Sequence, residues 1–245
     1  MVMPDERLTA RFLDTLLTRR VLNKAEGILA LTPTESTGLR SLGAQHLASI
    51  RNGVELPASK ASWRRPPRVL YAARLQERKR PLAFVESAAI VVQKFPEARF
   101  LMVGADEGQA QPVHDAIQRF GLEDHVTYLG AVAPTEVAQL MSETQIYVLP
   151  SVREPFPMSV LEALSHGLPT IITDQTGISD ELRTRGSARV TDGSPQSIAN
   201  EIEALLDPAQ WSRQAEYART DASEHFSVSA VASRLEEIYR RPSFA

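Results

Sequence analysis

The chain has 245 residues, of which 43% are hydrophobic, with 27 Lys and Arg against 30 Asp and Glu. This length and apolar content suit one large domain or two small ones and exclude a disordered chain. A net charge of −3 excludes a general affinity for nucleic acid, and the absence of cysteine excludes a disulfide framework or a thiolate site.

A chain without cysteine fits a cytoplasmic setting. No run approaches the roughly 20 apolar residues that span a bilayer. Met1 to Arg7, with Asp5 and Glu6, lacks the apolar core of a secretory leader. His46, His114, His125, His166 and His225 show no zinc-type spacing, so no metal site is expected. Residues 1–65 carry 10 Lys and Arg against 6 Asp and Glu, or +4, and the remainder carries −7. The basic front suits an acidic partner or anionic lipid, or is an ordinary fluctuation.

Residues 7–23 carry an amphipathic helix pattern. Leu8, Phe12, Leu13, Leu16, Leu17 and Val21 lie on one side, and Arg7, Arg11 and Arg19 mostly on the other. The pattern fits a helix lying on a membrane surface or, because a strand follows at 27–31, one packed on a sheet. Thr32-Pro33-Thr34-Glu35 reads as a capping box opening a helix that Gly43 closes. A second strand at 47–50 ends in the turn Asn52-Gly53. From Val54 to Pro67 the periodicity stops, and Pro57, Pro66 and Pro67 mark a linker. Beyond it, strands at 69–72, 100–103, 125–128, 145–149, 169–173 and 188–191 alternate with helices. Those helices are expected at 81–95, 110–120, 134–141, 157 onward, 178–183 and from Ser194-Pro195, with two more at 208–222 and 227–240. Strands alternating with helices of this length predict an α/β, doubly wound parallel sheet.

Two loops stand out at the carboxyl ends of strands, where open α/β sheets bind ligands. The first is Ala73-Arg74-Leu75-Gln76-Glu77-Arg78-Lys79-Arg80-Pro81. Its four basic residues beside a helix start favour an anion, most naturally a diphosphate, although basic surface clusters are common. The second holds Glu154 and Glu162, eight positions apart, around Pro155-Phe156-Pro157-Met158-Ser159. Pro157 is expected at the first helical position. A rise of about 1.5 Å per residue puts Glu162 some 7 Å into that helix, so one elongated ligand can touch both carboxylates. The bland reading makes Ser159, Glu162, Ser165 and His166 an ordinary wet helix face. The loop at Val103-Gly104-Ala105-Asp106-Glu107-Gly108 lacks a dinucleotide fingerprint, and Tyr128-Leu129-Gly130-Ala131 reads as a strand end. Residues 174–181 read as a helix start built by acidic capping.

Together these segments resemble the retaining GT-B glycosyltransferases of the family-4 type. Arg74 and Lys79 match an R-L-x-x-x-K segment, and Glu154 to Glu162 match an E-x7-E motif that includes Phe156, Leu161-Glu162-Ala163 and Gly167-x-Pro169. Residues 174–181 resemble a G-G-x-x-E loop. Ala73, Arg80, Pro155 and Thr176 stand where the family usually has Gly, and Asp180 where it has Glu. The resemblance implies a Rossmann-like donor domain at 67–225 and a linker at 57–66. It also implies a remnant of the acceptor-side domain at 1–56 and a crossover helix at 226–245. It implies a nucleotide-diphosphate sugar as donor substrate, with no cofactor and no obligate metal. Arg74 and Lys79 would neutralise the leaving diphosphate, and Glu154 would hold the sugar with Phe156, Met158 and Ser159. Glu162 would hold the ribose, with Gly104, Tyr128, Leu129 and Gly130 around the nucleotide. The acceptor loop and its His have no counterpart, so self-association or a protein partner is expected to complete that side, with membrane contact at most peripheral. A non-catalytic nucleotide-sugar-binding or regulatory subunit is the alternative, and a nucleotide-sugar 2-epimerase a further one.

Overall fold

The computed structural model describes residues 17–240. The chain divides into two compact units, residues 1–53 with 225–245, and residues 54–224.

In the smaller unit, helix α1 (Arg19–Lys24) leads to strand β1 (Ile28–Ala30), helix α2 (Pro33–Ser41) and strand β2 (Leu47–Ser49). β1 and β2 pair in parallel, with Ile28 opposite Leu47. The expected capping box is present in a shifted form. Thr32 Oγ1 accepts from the Glu35 amide at 3.1 Å, and the Glu35 carboxylate accepts from the Leu31 amide, one residue before the cap, at 2.7 Å. The expectation that the first helix packs its apolar side on a sheet does not hold for the described part: Leu17 and Val21 are exposed. Two three-residue strands offer no broad face to cover them. Residues 7–16 of that expected helix lie outside the described residues.

In the larger unit, strands β3 (Arg68–Ala72), β4 (Arg99–Val103), β5 (Val126–Tyr128), β6 (Ile146–Leu149), β7 (Thr170–Thr173) and β8 (Arg189–Thr191) form one sheet, ordered β5-β4-β3-β6-β7-β8. Every pair is parallel. Between the strands run helices α3 (Pro81–Val91), α4 (Ala110–Arg119), α5 (Pro134–Glu143), α6 (Met158–Ser165) and α7 (Ser179–Arg185), and α8 (Pro195–Leu205) follows β8. Helix α9 (Pro208–Asp221) follows, and α10 (Val228–Arg240) belongs to the smaller unit. All four residues of β6 and of β7 are buried, as a sheet covered on both faces requires. The core centres on Tyr71, Phe84 and Phe100, whose rings stack in sequence at 5.6 and 5.7 Å between centroids. α3 packs against α4 and α8, and α6 against α9.

The segment after Val54 has no regular structure to Pro67 but is tied down. Gln145 accepts from the Arg68 amide at 2.8 Å and donates to the Ser62 carbonyl at 2.9 Å. Trp63 packs its ring 5.9 Å from Trp211, and the Ala61 amide donates to the His166 carbonyl at 2.8 Å. Each bond satisfies backbone that a free linker would leave to water.

Candidate active site

The strand order reverses between β3 and β6. From β3 the chain moves outward through β4 and β5, and from β6 it moves the other way through β7 and β8. The loops leaving β3 and β6 therefore diverge and leave a crevice at the carboxyl edge. These are the two loops that carry the basic cluster and Glu154.

After β3, a short 3-10 turn at Glu77–Lys79 precedes α3, and its last residue, Lys79, reaches Glu154. Arg80 then adopts a left-handed conformation, φ 52° and ψ 52°, and Pro81 opens α3. A non-glycine residue there costs about 1–2 kcal/mol. The resemblance expects Gly at this position, and a left-handed backbone is one that glycine adopts without strain. Arg80 extends its guanidinium over Gly193, where a Cβ would lie 2.5 Å from Nη1. Its charge helps hold the Asp192 carboxyl down at about 2, after the larger effect of hydrogen bonds from Ser197 and Ser194.

After β6, Arg153 is also left-handed, at φ 50°, and turns Glu154 inward. The Glu154 amide donates to the Gln175 carbonyl at 3.2 Å, and its own carbonyl accepts from Gly177 at 2.8 Å. The side chain is 7% exposed and ion-paired with Lys79, itself 12% exposed. Arg78 Nη1 reaches the same oxygen, Oε2, at 3.1 Å. Oε1 makes no hydrogen bond among the described residues and is not enclosed. The carboxylate is thus anchored through one oxygen and presents the other.

Arg74 is placed differently. Its guanidinium, 56% exposed, lies 2.5 Å from Glu107 Oε1, while Gln76 Nε2 donates to Glu107 Oε2 at 2.8 Å. Gln76 Oε1 accepts from Arg78 Nε at 2.9 Å. Arg74, Glu107, Gln76, Arg78, Glu154 and Lys79 therefore form one continuous polar network. Arg78, Gln76 and Glu107 were not singled out in the sequence. Arg78 is visible there only as one charge of a basic cluster, and nothing about positions 76 and 107 marks them.

Gly104 knits three strand ends. Its amide donates to the Gly130 carbonyl at 2.9 Å and its carbonyl accepts from the Tyr128 hydroxyl at 2.8 Å. At φ +145° a Cβ would lie 1.9 Å from the Ala73 carbonyl oxygen. Leu129 is exposed beside it. Asp106 Oδ1 accepts from Gly108, Gln109 and Ala110, and the Ala110 bond contributes most to lowering its pKa.

The second motif helix departs from expectation at its start. Pro157 occupies the cap position and Met158, exposed, is the first helical residue. Phe156 is half-buried. Ser159 Oγ bonds the buried Tyr147 hydroxyl at 2.8 Å, and that hydroxyl also bonds the Ala72 carbonyl at 3.2 Å. The bland reading of a wet stripe fails, because Ser165 and His166 are buried while Glu162 is exposed. Burial, and then the charge of Arg219, push the His166 pKa down. The Glu162 carboxyl makes no ion pair or hydrogen bond among the described residues, and desolvation raises its pKa. Acidic capping at 174–181 is also corrected. The α7 cap residue, Ile178, makes no side-chain cap bond, and Asp180 in the first turn pairs with Arg183 at 2.8 Å.

Among the described residues no group of His, Asp and Glu is arranged to hold a metal ion, and no helix is long and apolar enough to cross a membrane.

The parallel sheet with its charged loops at the switch point is that of a GT-B glycosyltransferase domain. Residues 55–221 match the family of glycosyl transferases group 1, and the chain belongs to it. A curated relative, the D-inositol 3-phosphate glycosyltransferase of Paenarthrobacter aurescens, is 28% identical over 240 residues, covering 91% of this chain. The chain spans 59% of that relative's length. HepE of Anabaena, solved with UDP, superposes with a TM-score of 0.82 at 22% identity, covering 97% of this chain and 69% of HepE. It has also been solved with UDP-glucose. The C-terminal domain of the group 1 protein LpcC of Francisella tularensis is covered completely, with a TM-score of 0.66 at 17% identity over 72% of this chain.

Proposed function

We propose that residues 54–224 are the donor-binding side of a retaining, metal-independent glycosyltransferase whose donor is a nucleoside diphosphate sugar. One observation carries this reading. At the switch point, Glu154 is held through Oε2 by Lys79 and Arg78 while Oε1 is left open. A sugar hydroxyl can donate to Oε1. Lys79 and Arg74, on one loop, can take the diphosphate and neutralise charge as it leaves, which is the largest electrostatic demand of the transfer.

The remaining roles follow the chain's geometry. Glu162, exposed and without an ion pair among the described residues, accepts from the ribose hydroxyls. Phe156, Met158 and Ser159 contribute backbone donors at the start of α6. The Ser159 hydroxyl accepts from Tyr147 and keeps its own proton to donate. Gly104, Tyr128, Leu129 and Gly130 line the nucleotide end. The UDP and UDP-glucose complexes of HepE support this class of ligand.

We read residues 1–56 as acceptor-side, 57–66 as the linker and 226–245 as the helix returning to the first unit. The grouping of residues 225–245 with 1–53 supports that division. Acceptor contacts would come from further polypeptide or from a partner. A chain without cysteine fits a cytoplasmic setting. A thermal-shift series with UDP, GDP and ADP and their glucose conjugates tests the reading. At least one pair should raise the melting temperature by mass action, and no shift with any of them would refute it.

A further inference from the structure

We propose that Arg78 is a positioning residue for Glu154, holding its carboxylate in place when a ligand diphosphate draws Lys79 away. The inference rests on the reading above, in which Lys79 meets the diphosphate.

Glu154 is 7% exposed and makes two ionic contacts, both through Oε2, with Lys79 and Arg78. The two cations differ in what else they do. Lys79 makes no second side-chain hydrogen bond or ion pair among the described residues and is a flexible point charge. Arg78 is fixed at three points. Its Nε donates to Gln76 Oε1 at 2.9 Å, its Nη1 reaches Glu154 at 3.1 Å, and its carbonyl accepts from the Val152 amide at 2.8 Å. Val152 precedes Glu154 by two residues, so Arg78 binds the backbone and the side chain of the same loop.

A diphosphate carries more charge than a carboxylate and would compete for the Lys79 ammonium. If Lys79 were the sole partner, its departure would strand a buried anion, at a cost that would oppose ligand binding. Arg78, which stays on the same oxygen, lowers that cost. It also keeps Oε2 occupied, which leaves Oε1 for the sugar. Gln76 supports it, itself held by Glu107. Position 78 is a variable place within the R-L-x-x-x-K spacing, so the motif alone assigns it nothing.

The test is calorimetric titration of the chain with whichever of UDP, GDP and ADP binds it most tightly. Arg78→Ala should weaken binding by about ten-fold or more, as expected when a buried carboxylate loses its remaining partner. Arg78→Lys should recover most of that loss. In a Glu154→Gln background, where no charge is left to strand, Arg78→Ala should change affinity by less than about two-fold. An equal loss in both backgrounds would mean that Arg78 contacts the ligand or only supports the fold, and would overturn the inference while leaving the donor-site reading intact. No loss in Arg78→Ala would also overturn it. Failure of the unaltered chain to bind any of the three would overturn both. Melting curves of Arg78→Ala and Arg78→Lys, recorded alongside, separate a folding defect from a binding one.

Discussion

Replacing Lys79 by Met puts the charge arrangement to a stability test that needs no ligand. Lys79 and Glu154 are 12% and 7% exposed, so their contact is close to a buried ion pair. Removing one partner of such a pair costs about 3–5 kcal/mol. Arg78 remains on the same carboxylate oxygen at 3.1 Å, which keeps the expected loss to about 2–3 kcal/mol. For a chain of this size that is a fall in melting temperature of roughly 4–12 °C. Glu154→Gln should cost less, because both cations can turn toward water. The double variant Lys79→Met/Glu154→Gln should lose less than the two single losses combined, by at least about 1 kcal/mol, since neither charge is then stranded. Urea unfolding followed by circular dichroism measures all four proteins. Losses that add within about 0.5 kcal/mol would show that the two side chains do not act on each other and refute the reasoning.

Gly104→Ala would place a Cβ 1.9 Å from the Ala73 carbonyl oxygen. The loops after β3 and β4 would have to part, and stability in urea should fall by more than about 2 kcal/mol; an unchanged midpoint would contradict the close approach. Desolvation raises the Glu162 pKa above its ordinary value of 4.5. The folded state therefore holds that proton more tightly, and its stabilising effect is lost as pH rises through the folded pKa. Glu162→Gln should accordingly gain stability relative to the unaltered chain between acidic and neutral pH, and a difference independent of pH would refute this. Glu162→Ala should weaken a nucleoside diphosphate with or without its sugar, whereas Glu154→Gln should matter only when the sugar is present. Equal effects of Glu154→Gln on both ligands, read by calorimetry, would require the two roles to be redrawn.

The alternation of strands and helices was legible because each element carries its own periodicity, and the two charged loops because their residues are neighbours in the chain. What joins the loops was not. Arg78 and Glu154 are 76 positions apart, and Arg74 and Glu107 are 33 apart. Such pairs depend on the strand order, which places β3 beside β6 and β4. Arg74 illustrates the limit: its spacing suggests an anion, and the anion it holds here is Glu107. Gly104 reads as an ordinary turn glycine until β3 and β4 are paired and the Ala73 carbonyl is seen against it. Ser159 reads as a ligand-facing helix residue until Tyr147, twelve positions earlier on β6, claims its hydroxyl. The apolar side of α1 was legible as a pattern, yet Leu17 and Val21 are exposed, because periodicity says that a face is apolar and not what covers it.

We propose above that the loop after β3 receives the two phosphates of a nucleotide. The direct measurement is calorimetric comparison of a nucleoside diphosphate with the corresponding nucleoside, on the unaltered chain and on Arg74→Ala and Lys79→Ala. The diphosphate should bind more tightly than the nucleoside. Each substitution should take away roughly 1–3 kcal/mol of diphosphate affinity, the scale of one charge-assisted hydrogen bond, while leaving nucleoside affinity as it was. Unchanged diphosphate affinity in both variants would contradict the account.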